Sequence, residues 1–145
     1  MNWRDYEKQI YDEFQKRYPQ WEILFDQRLE GRYSKIPRQI DILVKFRIAD
    51  VDGIGVFDCK CYGENVDVPV IDYMVGFLDD LGARLGGVVT TKGFSEAAIR
   101  RAKAAGIDLR TIEFVSVEQV VNEFVPCLDF SDPRNSMYLP LIGAF

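Results

Sequence analysis

Two apolar runs, "QIDILVKFRI" (39–48) and "IGVFDCKCY" (54–62), flank the short segment "ADVDG". The first run alternates cleanly: Ile40, Ile42, Val44 and Phe46 share one face of a strand, and Gln39, Asp41, Leu43 and Lys45 share the other. Asp-Gly between two such runs is a hairpin signal, so the strands should pair antiparallel with a turn near Asp50 to Gly53. This hairpin constrains the fold because its second strand carries Asp58 and Lys60 inside an otherwise apolar run. Burying either charge is costly unless a partner compensates it.

Strand geometry puts Asp58 and Lys60 on one face and Phe57, Cys59 and Cys61 on the other. Asp41, on the neighbouring strand, falls roughly opposite Asp58 to Lys60. Two carboxylates about 4 Å apart at a partly buried site repel by about 4 kcal/mol at an effective dielectric near 20. Such a pair is relieved by protonation, by a cationic partner or by a bound cation. Carboxylate oxygens with open positions suit Mg²⁺, which keeps several waters and takes substrate phosphate as a further ligand. An ammonium beside them can orient the attacking water and stabilise charge on a phosphate.

A third acid comes from the first helix, where Trp3, Tyr6, Ile10, Phe14 and Tyr18 recur at helical spacing before Pro19. Glu7 lies only about 40° from the azimuth of that apolar stripe, out of place unless it reaches a cation or a donor. Between this helix and the hairpin, "WEILFDQRL" reads as a strand and "YSKIPR" as a polar loop.

After the hairpin, Asp67 is placed as an N-cap with Pro69 in the first turn of a helix through "VIDYMVGFLDDLGA", its inward residues Ile71, Met74, Val75, Leu78 and Leu81. "GGVVTT" is a wholly apolar strand of the kind covered on both faces. Ser95 opens a further helix that Gly106 ends, "IDLRTI" is another strand, and "SVEQVVNEF" a last short helix. The order α-β-β-β-α-β-α-β-α predicts an α/β fold with a mixed central sheet of about five strands flanked by helices. The expected organisation is one body over residues 1–125 and a tail or arm over 126–145.

Composition bounds the setting. No run of about 18 apolar residues is present, the opening "MNWRDYEKQ" lacks a signal pattern, and three cysteines form no paired framework. The expectation is a cytoplasmic protein with no membrane partner. Cys59, Cys61 and Cys127, in a chain without histidine, read as small hydrophobes rather than metal ligands. The net charge of −5 is not that of a domain that holds DNA by charge alone. Basic residues do gather locally, with Arg28, Arg32, Lys35 and Arg38 close together and a basic loop, Arg32 to Arg38, immediately before Asp41.

Asp41 followed by Asp58-Cys59-Lys60 on the next strand resembles the D…(D/E)-x-K motif of the restriction-endonuclease-like nucleases. More closely, "RQIDILV", "FDCKCYGENVDVPVIDYMVGFLDDLGA" and "GGVVTTKGFSEAAIRRAKAAGIDL" together are similar to the catalytic domain of the Mrr-type restriction endonucleases, over Arg38 to Leu109. The resemblance implies a restriction-endonuclease-like fold and a metal-dependent endonuclease that hydrolyses DNA phosphodiesters with Mg²⁺, Mn²⁺ being a substitute. It implies Asp41 and Asp58 as metal ligands, Lys60 as the catalytic lysine and Glu7 as the helix-borne acid. Arg32, Lys35, Arg38, Gln39 and Lys92 become candidates for contact with DNA. Many nucleases of this fold pair two subunits to cut two strands, and the apolar segment Met137 to Phe145 offers a surface for such a homodimer. Two other readings stay open: a catalytically inactive module of the same fold that binds DNA or a partner, and a junction or repair nuclease.

Overall fold

In the computed structural model, residues 2–61 and 63–113 are described. The expected helix "SVEQVVNEF", the boundary at 125/126, Cys127 and the apolar segment Met137 to Phe145 lie outside them.

The elements follow the expected order: α1 (Trp3–Arg17), β1 (Glu22–Glu30), β2 (Pro37–Ile48), β3 (Val51–Lys60), α2 (Val68–Leu81), β4 (Leu85–Thr90), α3 (Glu96–Ala105) and β5 (Asp108–Thr111). The five strands form one sheet in the order β1-β2-β3-β4-β5. The meander β1–β2–β3 is antiparallel, while β3–β4 and β4–β5 are parallel, each joined by a crossover helix.

Two apolar layers sandwich the sheet. Under α1, Tyr6, Ile10 and Phe14 pack on Ile42, Val44, Phe57, Val89 and Ile112. On the opposite face, Ile71, Met74 and Phe77 of α2 and Ala98 and Ala102 of α3 pack on Ile40, Leu43, Val56, Val88 and Leu109. The inward stripe of α2 thus centres on Ile71, Met74 and Phe77, with Val75, Leu78 and Leu81 at its margin. Trp3, expected in the α1 stripe, is half exposed, because the helix starts there and only its later turns lie over the sheet.

Two expectations for the hairpin are corrected. The turn is Ala49-Asp50, at φ +51° and +63°, and Asp52-Gly53 already belong to β3, paired with Arg47 and Phe46. A two-residue connection between right-twisted strands of the type I′ kind takes both central residues left-handed, and here an alanine and an aspartate adopt that conformation. The alternation of β2 also breaks: Ile40 buries with Leu43 toward α2, whereas Ile42 and Val44 bury toward α1. The change of face falls at Asp41. There Asp26 of β1, at φ +51°, interrupts a register that otherwise runs from Phe25↔Ile42 to Gln27↔Ile40.

Both crossover helices are capped as the sequence indicates. Asp67 accepts from Val68 N–H and Ser95 from Ala98 N–H, and Gly82 and Gly106 close the helices at φ +66° and +72°. Ser95 Oγ also donates to Asp67 Oδ1 at 2.7 Å, tying the two helix starts together at the carboxyl ends of β3 and β4.

Candidate active site

Backbone pairing between β2 and β3 ends at Ile42↔Phe57. Beyond that pair the strands part, and the gap is bridged by a side chain: Cys59 N–H donates to Asp41 Oδ2 at 2.8 Å. The parting lets groups from both faces of the sheet meet. Asp58 and Lys60 share one face, with Lys60 Nζ 2.9 Å from Asp58 Oδ2, while Phe57, Cys59 and Cys61 turn toward α1. Asp58 in turn lies within hydrogen-bonding reach of Asp41. From α1, Glu7 is buried among apolar neighbours, with 7 % of its surface accessible, and is hydrogen-bonded to Asp41. Asp41 thus meets Glu7, Asp58 and the Cys59 N–H, and Asp58 meets Lys60.

Three carboxylates and one ammonium in a half-buried gap cannot all be charged at low cost. Burial, then the charge of Asp58, push the Asp41 carboxyl up to about 8, against the pull of the Cys59 N–H. Glu7 is raised too, chiefly by burial and then by the charges of Asp26 and Asp58, with Asp41's hydrogen bond and Arg4 opposing. Burial and the same carboxylates hold the Cys59 thiol well above its usual range, so it stays a neutral filler.

The donor set fits a hard divalent cation. Asp58 Oδ2 is buried and ion-paired with Lys60 Nζ at 2.9 Å, a cation that a divalent ion would replace there. Burial and the charge of Asp58 outweigh the Cys59 N–H, so the Asp41 carboxyl keeps its proton far more readily than an ordinary aspartate. Among the described residues no group of three or more His, Cys, Asp or Glu side chains forms a preformed metal cage. Two carboxylates completed by water and phosphate is the arrangement Mg²⁺ takes at phosphoryl sites.

The candidates for DNA contact divide. Lys92 is exposed just past β4, whose Thr90 is the register partner of Lys60. Lys35 is exposed in the β1–β2 loop at φ +60°. Gln39 is exposed beside the gap, its amide donating to Asp26 Oδ1 at 2.8 Å. Arg32 and Arg38, expected in a solvated basic loop, are engaged with the end of α2. Arg32 donates to the Asp79 carbonyl and carboxylate at 2.7 and 3.0 Å. Arg38 donates to Asp80 Oδ2 at 2.7 Å and stacks on Phe77. Acids at a helix C-terminus oppose its dipole and need donors. Asp80 finds them in Arg38, the Tyr33 and Ser34 N–H groups and the Ser34 hydroxyl, which hold its carboxyl well below the usual range.

Asp26 escaped notice in the sequence. It sits opposite Asp41 in the β1–β2 register, and its charge acts on Glu7. Counting back across the β1–β2 loop from Asp41 leads to it.

The chain matches the family Mrr_cat, described as restriction endonuclease, over residues 1–122. It therefore belongs to the restriction-endonuclease-like nucleases, and specifically to the family of the Mrr catalytic domain. No curated protein matches it. Among solved structures, the protein of unknown function AF1548 is similar at 18 % identity and a TM-score of 0.63, over 74 % of this chain and 57 % of that one. EndoMS in its apo form gives 16 %, 0.47, 80 % and 48 % on the same measures. The DNA modification-dependent restriction endonuclease AspBHI gives 14 %, 0.42, 75 % and 32 %. The chain spans less than two thirds of each of these three structures. Among the described residues no helix is long and apolar enough to cross a membrane.

Proposed function

We propose that this chain is a Mg²⁺-dependent deoxyribonuclease that hydrolyses DNA phosphodiesters at the gap between β2 and β3. The observation that carries this reading is the meeting of Asp41, Asp58 and Glu7 where the strands part, with Lys60 Nζ 2.9 Å from the Asp58 carboxylate.

In this reading Asp41 and Asp58 hold the cation, and Cys59 N–H fixes the Asp41 carboxylate in the orientation that binding needs. A bound divalent ion polarises the phosphate and neutralises the charge that develops on it. Lys60 orients the attacking water and shares the charge on the phosphate oxygens. Glu7, behind Asp41, stabilises the cationic centre. Water forms one P–O bond as another breaks, and the leaving oxygen takes up a proton. Lys92, Lys35 and Gln39 contact the DNA strand around the gap, while Arg32 and Arg38 order the loop that carries Lys35. Residues 1–125 form the catalytic body, the protein acts in the cytoplasm, and two copies pair to cut both strands.

The test is plasmid nicking with Mg²⁺, with Mn²⁺ and with EDTA. Wild type nicks only with the cation, and Lys60→Ala lowers the rate by about 10²–10⁴-fold, the usual scale for losing a positioned catalytic group. Equal behaviour of wild type and Lys60→Ala would end the catalytic reading and leave a binding module of the same fold. A panel of linear, flapped and four-way substrates separates a junction or repair preference.

A further inference from the structure

Thr90 ends β4 and is fully buried, yet among the described residues its hydroxyl has no hydrogen-bond partner. A buried hydroxyl left unpaired is a cost that native structures seldom carry without a reason. Its place is specific: β3 and β4 are parallel, and Thr90 is the register partner of Lys60. Val88 packs toward α2 and α3 while Val89 packs toward α1, so Thr90 faces the α2/α3 side. Asp58 and Lys60 lie on that side as well, opposite Phe57 and Cys59. Register partners on one face of a sheet stand about 5 Å apart, within reach of a lysine stem. The backbone is fixed around them, since Thr91 N–H donates to the Lys60 carbonyl and Ile112 N–H to that of Thr90.

In the described state Lys60 lies against Asp58. If Asp58 serves a cation, as the proposed function holds, that carboxylate is drawn away from the ammonium at the moment the lysine must be positioned. We infer that Thr90 is the positioning residue that then holds Lys60: its hydroxyl accepts from the lysine ammonium and aims it at the phosphate. Thr90 touches no reacting atom. It turns a lysine paired along its own strand into one held across to the next strand. The inference rests on the proposed function, and it accounts for an orphaned hydroxyl that a purely structural residue would not need.

Thr90→Val keeps the shape and removes the hydroxyl, and Thr90→Ser keeps the hydroxyl. The experiment measures thermal midpoints in EDTA and in Mg²⁺, and single-turnover plasmid nicking, for wild type and both variants. In EDTA Thr90→Val melts at or above wild type, by about 2–6 °C, because an unsatisfied hydroxyl has gone. The upward shift that Mg²⁺ gives is smaller for Thr90→Val than for wild type and Thr90→Ser, since the bond that forms on loading is missing. The nicking rate at saturating DNA falls about 10–100-fold in Thr90→Val with KM little changed, and Thr90→Ser restores it. A Thr90→Val protein with the wild-type Mg²⁺ shift and the wild-type rate overturns the inference and leaves the nuclease reading standing. Wild type inert with every cation overturns the nuclease reading instead, and the Mg²⁺ shifts of the three proteins then decide the role of Thr90. Equal loss in the valine and serine variants marks Thr90 as packing only and also overturns the inference.

Discussion

Asp41→Asn neutralises the most perturbed acid of the gap while keeping an oxygen to accept from Cys59 N–H. In the folded chain the Asp41 carboxyl titrates near 8, against about 3.9 in an unfolded chain. The folded state therefore holds more protons than the unfolded state across that window, and stability falls as pH rises, by up to about 1.4 kcal/mol per pH unit. Glu7, raised as well and hydrogen-bonded to Asp41, spreads the transition. Without divalent cation, Asp41→Asn should match wild type near pH 4 and exceed it by about 2–4 kcal/mol at pH 7. The assay is urea unfolding in EDTA at a series of pH values, read as the difference between the two proteins. Adding Mg²⁺ at pH 7 should reverse the order, because only wild type keeps both carboxylates for the ion. Parallel stability curves from pH 4 to 8 would refute the claim that these carboxylates are crowded together.

Other outcomes follow from the same geometry. Asp80→Asn should lower the thermal midpoint by several degrees at neutral pH. The gap should close as pH falls through the depressed folded value of Asp80, because a depressed carboxylate stabilises above its unfolded value and ceases to in acid. Gly87→Ala should cost about 1–3 kcal/mol in urea unfolding, since a Cβ there would meet the Asp108 carbonyl at 2.5 Å and the Phe57 ring at 2.9 Å. Lys92→Ala should weaken DNA binding and reduce the slope of log K against log salt by about 1. Arg38→Ala should lower the melting temperature with that slope unchanged, because Arg38 serves Asp80.

The meander, both crossovers and the caps were legible in the sequence because each rests on local signals: Asp67, Pro69, Ser95 and Gly106 stand where helix ends require them. That Asp58 lies beside Lys60 and that Glu7 is buried was legible because period-2 and 3.6-residue arithmetic assigns each side chain a face. What misled was the assumption that a strand keeps its alternation. The left-handed Asp26 breaks it at Asp41, a long-range effect of β1 on β2 that no window along β2 contains. The turn was misplaced for a related reason: Asp-Gly is the better local signal, but the register Ile48↔Val51 puts the turn on Ala49-Asp50. Arg32 and Arg38 read as a DNA-facing loop because their partners, Asp79 and Asp80, are more than forty residues away.

A divalent ion seated between the parted strands would be seen in a crystal grown or soaked with Mn²⁺. The expected result is an anomalous peak within about 2.5 Å of a carboxylate oxygen of both Asp41 and Asp58, lost in Asp58→Ala. A Mn²⁺-saturated crystal with no peak there, or with a peak that ignores Asp58, would contradict it.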